Sequence, residues 1–392
     1  MSKPLIARST DLKRLQDEGY DIEVRERFLL VRSFPYLNTK REVHRGILVM
    51  PLDSAGDATA IPESHVAYFI GEAPCHENGR VMTEIVTGSN KTQLEVGLFV
   101  DHSFSAKPVE GRYPDYYQKI ERHAAIICGP VAAIDPSAKP KVFPVIETTE
   151  TESVFKYADT ASSRAGIAVA AAKLEVGKVA IVGVGGSGSY ILDLVAKTPV
   201  KEVHLFDGDQ MLNHNAFRSP GAPTVEELRE KPLKAEYFQK VYSKMRRGVF
   251  AHPAFITEAN VEKLKQFDFV FLSMDGGPAK LYIIQKLLEW GVQFIDVGMG
   301  LELIKEAIGG ILTVTTSSTA KHDHVLGRIP VVPTDKNNDY SRNIQVADLN
   351  AMNAAMAVIK WKKLLGFYHD FEKEHFSAYT VDGNRLSNED RP

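Results

Sequence analysis

The sequence predicts an α/β protein in which a mostly parallel sheet, covered by helices, follows a smaller α+β domain. Two observations lead to this prediction. The chain has 392 residues, more than one ordinary core accommodates, which indicates two domains. From residue 154 onward, helical and strand patterns alternate, as they do in parallel sheets with helices on their faces. We therefore expect the larger domain to span 154–392.

Residues 1–130 are predicted to form the α+β domain. The apolar segments of this part are short and separated by glycine and proline, as is typical of strands. Residues 131–153 are rich in proline and polar side chains and are predicted to be a linker. The predicted elements are strands at 27–34, 46–52, 65–72 and 96–104 and a helix at 114–127.

The larger domain contains short apolar runs, which indicate buried strands, and longer segments with helical periodicity. Pro278 and Gly291 mark the start and the end of one helix. The stretch 317–343 has no regular pattern, and a loop of that length in a compact domain is usually functional or disordered. The predicted elements are helices at 162–174, 189–197, 231–245, 279–290 and 347–366 and strands at 178–183, 202–207, 267–275, 292–298 and 309–316.

Composition and charge argue against several classes of protein. Lysine and arginine number 47 and aspartate and glutamate number 50, a net charge of −3, so no general attraction to nucleic acid or anionic membranes is expected. The sequence has no apolar run of about 18 residues, so no membrane span is expected. Its start lacks the apolar core of a secretory signal. Its two cysteines are too few for a disulfide framework or a four-cysteine zinc site. The expected location is the cytoplasm.

A glycine cluster, VAIVGVGGSGSY at 179–190, follows a predicted strand and precedes a predicted helix. Gly183, Gly185 and Gly188 satisfy the pattern G-x-G-x-x-G, which permits a tight turn, close approach to phosphate and close packing of helix on strand. The helix N-terminus then offers free N–H groups to an anion. Asp207 ends the next strand, where a ribose-binding acid is expected. The pattern predicts a Rossmann-like nucleotide site, but a turn without a ligand is the alternative, and a nicotinamide is not distinguished from ATP.

Further polar and cationic residues follow the predicted strand ends. Asp209, Asn215 and Arg218 come just after the strand that Asp207 ends, and Asp275 ends a later strand. A dehydrogenase needs only the first acid, whereas attack on an α-phosphate needs polar and cationic groups around the triphosphate. Because ligands of open parallel sheets lie outside the carboxyl ends of the strands, Asp207 and Asp275 are expected to converge on one crevice. A carboxylate there is suited to holding Mg²⁺.

Residues 154–392 resemble the ThiF/MoeB/HesA family, the adenylating core shared with the ubiquitin-activating enzymes. The family's motifs are a G-x-G-G-x-G loop, a D-x-D…N-x-x-R segment, a helix that begins with Lys-Ala, and a magnesium-binding acid in T-D-N. Here Met274 and Gly276 stand beside that acid instead of the family's neighbours. The matching residues, in chain order, are Gly183, Gly185, Gly186, Gly188, Asp207, Asp209, Asn215, Arg218, Lys234, Ala235 and Asp275.

The resemblance implies roles for these residues. Asp207 would hold the ribose hydroxyls, with Asp209 beside it as a further cofactor-binding acid. Arg218, Lys234 and Asn215 would hold the triphosphate. The carboxylate in the T-D-N position, Asp275, would bind Mg²⁺.

The resemblance also implies a reaction and partners. The reaction is ATP- and Mg²⁺-dependent adenylation of the C-terminal glycine of a ubiquitin-like or sulfur-carrier protein. Family members often receive an arginine from the partner subunit of a dimer, and Arg164 is the candidate here. The implied partners are a ubiquitin-like protein, a conjugating enzyme and a second copy of this chain. Some prokaryotic members of the family serve in conjugation systems that defend against phage.

The sequence departs from the activating enzymes that go on to form a thioester, because it has no cysteine after position 128. Direct transfer of the adenylate to a partner is one remaining route. A second is an oxyester on a hydroxyl of the irregular stretch, since a serine that a base activates is a nucleophile. The candidate hydroxyls and bases are Ser317, Ser318, Ser341, His322 and His324.

A third route would use a thiol of the first domain. Cys75 lies beside His76 in a loop flanked by glycines, where a reactive thiol is conceivable. An ordinary turn cysteine is the favoured interpretation of Cys75. Cys128 lies in an apolar segment and is predicted to belong to the core.

Other functions remain open from the sequence. A nicotinamide-dependent oxidoreductase fits the glycine loop and Asp207 but leaves the residues from Asn215 to Asp275 unexplained. A non-catalytic nucleotide-binding scaffold fits the absence of the downstream cysteine. If the protein is an adenylating enzyme, activation of a small-molecule or tRNA-linked carboxylate is a further alternative. The first domain carries no chemical motif, and we expect it to recruit a ubiquitin-like protein or a conjugating enzyme.

Overall fold

The structure, a computed structural model, describes residues 3–330 and 344–392. The chain divides into two compact units, residues 1–145 and 146–392. Each unit has its own hydrophobic core. Among the described residues, none of the helices combines the length and the apolar character that a membrane span requires.

The first unit is an α+β fold, as predicted. Its elements are α1 (Lys3–Arg8), α2 (Thr10–Asp17), β1 (Asp21–Arg25), β2 (Phe28–Leu37), β3 (Val43–Pro51), β4 (Ser54–Ala55), β5 (Ala58–Thr59), β6 (Val66–Ile70), β7 (Val86–Gly88), β8 (Thr92–Glu95), β9 (Leu98–Val100), β10 (His102–Ser105) and α3 (Tyr116–Ile134). Six strands form one antiparallel sheet in the order β1-β2-β3-β6-β10-β7. Helix α3 packs on β2, and Tyr116, Ile120 and Ile127 place its apolar face in the core.

The second unit alternates helices and strands. Its elements are α4 (Thr160–Arg164), α5 (Ala168–Ala172), β11 (Lys178–Val182), α6 (Gly186–Ala196), β12 (Glu202–Phe206), α7 (Asn213–Ala216), α8 (Val225–Glu230), α9 (Lys234–Tyr242), β13 (Val249–His252), a 3-10 helix (Val261–Gln266), β14 (Phe269–Leu272), α10 (Pro278–Trp290), β15 (Phe294–Ile304), β16 (Ala307–Ser317), α11 (Val325–Arg328), α12 (Ala347–Leu364), β17 (Phe376–Thr380) and β18 (Arg385–Glu389).

Eight strands of this unit form one sheet in the order β13-β12-β11-β14-β15-β16-β17-β18. The first five run parallel, and β16, β17 and β18 continue the sheet antiparallel. All residues of β14 and all residues of β11 after Lys178 are buried, which is typical of strands covered on both faces. Helices α6, α9 and α12 cover one face, while α10, α11 and the 3-10 helix cover the other. The predicted Rossmann-like, mostly parallel sheet is therefore confirmed.

Two predicted helices differ from the observed ones. The predicted helix at 162–174 is two short helices, α4 and α5, because Gly166 adopts φ +70° between them. The predicted helix at 114–127 continues as α3 to Ile134, through Pro130. Val131 is fully buried beside Leu37, so tertiary packing outweighs the helix-breaking tendency of proline at this position.

The predicted strand at 96–104 is two strands of different sheets. Leu98–Val100 pairs with β8, whereas His102–Ser105 pairs with β6 and β7. Asp101 lies between them, and its N–H donates to the carbonyl oxygen of Phe69 at 2.8 Å while its carboxylate accepts from the N–H of Gly71 at 3.0 Å. These bonds fix the change of direction, which hydrophobic alternation alone does not reveal.

Candidate functional site

The glycine loop joins β11 to α6 at the edge of the sheet where the parallel strands end, which we call the carboxyl edge. Gly183 has φ +88°, and a Cβ on it would lie 2.8 Å from the carbonyl oxygen of Ser273. A Cβ on Gly188 would overlap the carbonyl oxygen of Gly183. Among the described residues, nothing lies within 4 Å of a Cβ built on Gly185, the N-cap of α6. The loop is therefore tightly packed behind and open in front of the helix N-terminus, where a phosphate would bind.

Asp207 fastens the glycine loop to the end of β12. One carboxylate oxygen, Oδ2, accepts from the N–H of Val184 at 2.8 Å, and Oδ1 accepts from the N–H of Asp209 at 2.8 Å. Burial raises the pKa of this carboxyl, and these two donors oppose the rise. Each oxygen retains a lone pair, so the carboxylate can still accept from ribose hydroxyls. Asp207 thus occupies the position that the sequence predicts for a ribose-binding acid.

Asn215 and Arg218 carry buried donor groups without partners. The carbonyl oxygen of the Asn215 side chain accepts from the N–H of Leu212 at 2.9 Å, but its Nδ2 has no partner among the described residues, and Asn215 is 3% exposed. The Nε of Arg218 is likewise buried and unpartnered within the described part of the chain. Buried donors without acceptors are costly, and a phosphate oxygen would satisfy both only after a local movement of this segment, because neither atom is accessible in the free protein.

Lys234 and Asp209, both predicted site residues, form an ion pair. The Nζ of Lys234 lies 2.8 Å from Oδ2 of Asp209, and the backbone N–H of Lys234 donates to the carbonyl oxygen of Asp209 at 2.8 Å. The lysine side chain is only 8% exposed, whereas that of Asp209 is 56% exposed. The pair places the start of α9 beside the end of β12, and the ammonium retains further hydrogens for an anion.

Asp275 follows β14 and is exposed. The segment before it is fixed from behind, because Lys280 Nζ donates to the carbonyl oxygen of Met274 at 3.3 Å and lies 2.6 Å from Oδ1 of Asp296. Lys280 and Asp296 are both almost fully buried, and burial raises the pKa of the Asp296 carboxyl to about 6. Asp275 is therefore a surface carboxylate on a braced loop at the carboxyl edge.

Direct contacts join three of these segments. The N–H of Gly183 donates to the carbonyl oxygen of Phe206 at 2.8 Å, and the hydroxyl of Ser273 donates to the carbonyl oxygen of Gly183 at 2.6 Å. The strand ends before Asp207 and Asp275 thus both meet the glycine loop. The sheet order places both strand ends at the carboxyl edge, on either side of β11, and convergence of Asp207 and Asp275 on one crevice stays a prediction.

Asn350, which the sequence does not identify as a site residue, contacts two site segments from α12. Its Oδ1 accepts from the hydroxyl of Ser187 at 3.0 Å, and its Nδ2 donates to the carbonyl oxygen of Arg218 at 3.3 Å. A Cβ on Gly186 would overlap its amide, so this glycine makes room for Asn350. The one sequence signal is the polar pair Asn350 and Asn353, three residues apart in the otherwise apolar stretch 349–359 of this helix.

Arg164 lies at the C-terminal end of α4 and is exposed. Two short helices, α4 and α5, precede β11 in place of the single helix predicted before the glycine loop. A contribution of Arg164 to the site of a partner subunit stays a prediction.

Both cysteines are buried free thiols. Cys75 is fully buried, its thiol donates to the carbonyl oxygen of Ala73 at 3.3 Å, and burial raises its pKa. Burial raises the pKa of Cys128 to about 12. Nucleophilic cysteines need an accessible thiolate, so Cys75 is the turn cysteine that we favoured and Cys128 is a core residue.

The predicted serine and histidine candidates do not assemble as expected. Ser317 and Ser318 are buried, and Ser318 Oγ lies 2.8 Å from Nε2 of His375, not of His322 or His324. Pairing of β16 with β17 brings His375 to this position. Ser341 lies outside the described residues.

Ser318 also lies at the opposite edge of the sheet. Strand β16 runs antiparallel to β15, and Ser317 pairs with Phe294 at the start of β15. The glycine loop follows the other end of the parallel strands. Because a strand rises about 3.3 Å per residue, roughly 13 Å of strand separates the two levels. The structure therefore does not bring Ser317 or Ser318 to the glycine loop.

The residues at the carboxyl edge fit ATP. The open space at Gly185 suits a phosphate, the unpartnered donors of Asn215 and Arg218 suit phosphate oxygens, and Asp207 has acceptor capacity for a ribose. Among the described residues, no three acidic, histidine or cysteine side chains cluster to hold a metal on their own. Asp275 would therefore bind Mg²⁺ together with phosphate oxygens, as is usual for this ion.

Two family models match the chain. A domain of unknown function, DUF6791, matches residues 10–160, and the ThiF family matches residues 161–388. Among curated proteins, none matches this sequence.

Several solved structures are similar to this chain at low identity. Escherichia coli MccB with MccA-N7isoASN is 18% identical, with a TM-score of 0.47, over 57% of this chain and 66% of that one. The microcin C7 biosynthetic enzyme MccB with N-formylated MccA is 18% identical, with a TM-score of 0.47, over 59% and 70%. PaaA is 17% identical, with a TM-score of 0.43, over 57% and 75%. This chain thus spans slightly less than two thirds of the first of these proteins.

The family assignment rests on the ThiF model, which covers more than half of the chain. Its matched range contains β11, the glycine loop, Asp207 and the other carboxyl-edge residues. The chain therefore belongs to the ThiF family.

Proposed function

We propose that this protein is an ATP- and Mg²⁺-dependent adenylyltransferase that activates the C-terminal carboxylate of a ubiquitin-like protein. Membership of the ThiF family supports adenylation. The observation that carries the proposal is the pair of buried donors on Asn215 and Arg218, which have no partner among the described residues and whose segment is linked to the glycine loop through Asn350. A nicotinamide dehydrogenase leaves these donors unexplained, because its dinucleotide needs only the loop and the acid.

In the proposed reaction, a carboxylate oxygen of the substrate forms a bond to the α-phosphorus of ATP. The bond between that phosphorus and the oxygen bridging to the β-phosphate breaks, and its electron pair leaves with pyrophosphate. The attacking carboxylate is already ionised, so no general base is required. The protein's contribution is positioning and charge neutralisation.

Each carboxyl-edge residue has a part in this proposal. Asp207 orients the ribose, and Asn215 and Arg218 bind phosphate oxygens. Lys234 also binds a phosphate oxygen, which partly replaces its ion pair with Asp209. Asp275 holds Mg²⁺, which would offset the charge that develops on the phosphates. The burial of these donors strengthens their interaction with phosphate charge.

The fate of the adenylate follows from the nucleophiles that the chain offers. The sequence has no cysteine after Cys128, Cys75 is a buried thiol of the first unit, and Ser318 lies at the opposite edge of the sheet from the glycine loop. We therefore propose that the adenylate passes directly to a partner such as a conjugating enzyme. A homodimer in which Arg164 completes the partner's site, a cytoplasmic location and a pathway of defence against phage belong to the same proposal.

The decisive experiment is ATP–pyrophosphate exchange with radiolabelled pyrophosphate and the ubiquitin-like proteins encoded beside this gene. We expect exchange that requires one such protein, its terminal glycine and Asp275, with Asp275→Ala as the control. ATP binding without exchange would favour a scaffold or an enzyme for a small carboxylate. A lack of ATP binding together with NADH binding would favour the oxidoreductase.

The first unit is proposed to recruit the ubiquitin-like protein or the conjugating enzyme. A truncated chain that starts with the second unit, at residue 146, would then retain pyrophosphate exchange at saturating substrate but lose conjugation. Full conjugation by the truncated chain would refute this role.

A further inference from the structure

An exposed aromatic ring lies at the carboxyl edge of the sheet. Phe255 follows β13, and its side chain is 58% exposed, although phenylalanine is usually among the most buried residues. Strand β13 is next to β12, and the N–H of Asp207 donates to the carbonyl oxygen of His252, the last residue of β13, at 3.3 Å. Phe255 therefore follows the strand adjacent to the one that Asp207 follows.

The ring of Phe255 lies against Gly208, between the two acids Asp207 and Asp209. A Cβ on Gly208 would lie 2.8 Å from two carbon atoms of the ring, too close for any side chain. Only glycine therefore lets the ring approach the backbone beside the ribose-binding acid this closely.

The loop that carries Phe255 is fixed in place. The side chain of Asn260 accepts from the N–H of Thr257 at 2.8 Å and donates to the carbonyl oxygen of Phe255 at 2.9 Å. The next residue, Ile256, is 3% exposed and belongs to the core that α10 covers. The ring is thus exposed on a preorganised loop, so a ligand that contacts it would incur little ordering cost.

The order of the strands gives the direction in which a nucleotide would lie. The glycine loop follows β11, Asp207 follows β12 and Phe255 follows β13, and these strands are neighbours in that order. A nucleoside triphosphate has its ribose between its phosphates and its base. With the phosphates at the loop and the ribose at Asp207, the base points toward β13. Neighbouring strands are about 4.8 Å apart, which places Phe255 within reach of that base.

We propose that Phe255 is the stacking platform for the adenine ring of ATP, an inference that rests on the proposed function. The exposed ring offers a π-face to the base, and purines stack on aromatic side chains without needing a specific hydrogen-bond pattern. Phe255 would therefore contribute affinity for the base and a preference for purine over pyrimidine nucleotides. Recognition of phosphate and ribose remains with the glycine loop and Asp207.

The test compares two probes on the full chain, Mg-ATP and inorganic tripolyphosphate, which lacks ribose and base. We expect Phe255→Ala to weaken ATP binding, measured by isothermal titration calorimetry, by roughly 5- to 150-fold, and to leave binding of tripolyphosphate unchanged. Phe255→Tyr keeps the π-face and should bind ATP like the wild type. Phe371→Ala removes another exposed ring, 88% accessible and located between α12 and β17, and should also match the wild type.

The outcomes separate this inference from the proposed function. If the wild type binds ATP and Phe255→Ala binds it equally well, the platform is refuted while adenylation stands. If Phe255→Ala weakens ATP and tripolyphosphate to the same degree, the residue is structural and the platform is again refuted. If the wild type does not bind ATP, the proposed function fails and the platform fails with it.

Discussion

Two polar clusters of the second unit differ in how many of their hydrogen-bonding groups have partners. At the carboxyl edge, Asn215 Nδ2 and Arg218 Nε are buried and unpartnered within the described residues. At the opposite edge, Ser318 donates to Nε2 of His375 at 2.8 Å, and Nδ1 of that histidine donates to the carbonyl oxygen of Lys373 at 3.0 Å. The Ser318–His375 pair contains the more familiar catalytic residue types, but its hydroxyl and both ring nitrogens are satisfied within the protein. Residue type alone therefore does not identify the ligand site, because a satisfied pair of this kind is typical of a structural hydrogen-bond network.

Position at the carboxyl edge does not by itself make a residue part of the site. Lys280 and Asp296 lie behind Asp275 at that edge, but they form an ion pair, with 2.6 Å between Nζ and Oδ1, and are almost fully buried. Their role is to brace the loop of Asp275. We call Lys280–Asp296 and Ser318–His375 closed pairs, because their members bind each other, and we call the unpartnered groups of Asn215 and Arg218 open donors. The comparison predicts that substitutions in closed pairs reduce stability, whereas substitutions of open donors reduce ligand binding.

The largest expected effect is on a closed pair. Lys280→Ala leaves the Asp296 carboxylate buried without a counter-ion, and we expect the free energy of unfolding of the second unit to fall by about 3–5 kcal/mol. Urea unfolding of the full chain measures this loss. Lys286→Ala is the control on the same helix, where the ion pair with Glu289 is exposed, and it should change stability little. Equal effects of the two substitutions would contradict the bracing role.

The next effect concerns an open donor. Arg218→Ala should slow ATP–pyrophosphate exchange by about 100- to 1000-fold, the usual effect of removing a donor aimed at developing negative charge. Stability should be unchanged or slightly higher, because the substitution removes a buried group without a partner. Exchange assays and thermal unfolding of the same preparation measure the two quantities.

Arg229→Ala is the matched control for this substitution. Arg229 lies in α8, and its side chain is 75% exposed in a surface pair with Glu226. We expect it to leave both exchange and stability as in the wild type. A destabilised Arg218→Ala with normal exchange would place Arg218 among the structural residues and remove the main support for the phosphate site.

Two glycines of the loop, Gly188 and Gly185, differ in what an added methyl group would meet: protein atoms at Gly188 and the proposed phosphate position at Gly185. Gly188→Ala forces a methyl group onto the carbonyl oxygen of Gly183, and overpacking of this kind costs about 1–3 kcal/mol. A methyl group on Gly185 meets nothing within 4 Å among the described residues, but φ −73° and ψ −137° lie outside the regions that L-residues favour, so we expect Gly185→Ala to cost about 1 kcal/mol through backbone strain alone. Its methyl group would nevertheless occupy the phosphate position. We expect Gly185→Ala to lose the rise in melting temperature that ATP causes in the wild type, and retention of that rise would contradict the assigned position of the phosphate.

Local patterns were enough to predict the parallel sheet and the position of the glycine loop. The apolar runs before Gly183 and Asp207 are short, contiguous and bounded by turn residues, and the glycine spacing depends on backbone geometry within one turn. These features are local, so they can be recognised in sequence. The positions of Asp207 and Asp275 followed because parallel strands end at one edge.

The contacts that decide which hydrogen-bonding groups have partners could not be predicted from local sequence patterns. His375 pairs with Ser318 across 57 residues, and Asn350 contacts Ser187 across 163 residues, because strand pairing and helix packing bring them together. The unpartnered state of Asn215 Nδ2 depends on every neighbour in the fold. Sequence therefore identified the candidate residues at the carboxyl edge, while the three-dimensional arrangement was needed to exclude the serine and histidine candidates.

The smallest expected effect concerns the closed serine–histidine pair. Ser318→Ala removes the hydroxyl that donates to His375 and leaves a buried acceptor without a donor, so we expect a loss of about 1 kcal/mol in the free energy of unfolding. Pyrophosphate exchange and conjugation should both match the wild type, because Ser318 lies at the edge where the parallel strands begin. An alkali-labile adduct of the ubiquitin-like protein that disappears in Ser318→Ala would contradict this expectation. Such an adduct would require the acyl group to travel the length of the strands, and the geometry of β16 offers the adenylate no such path.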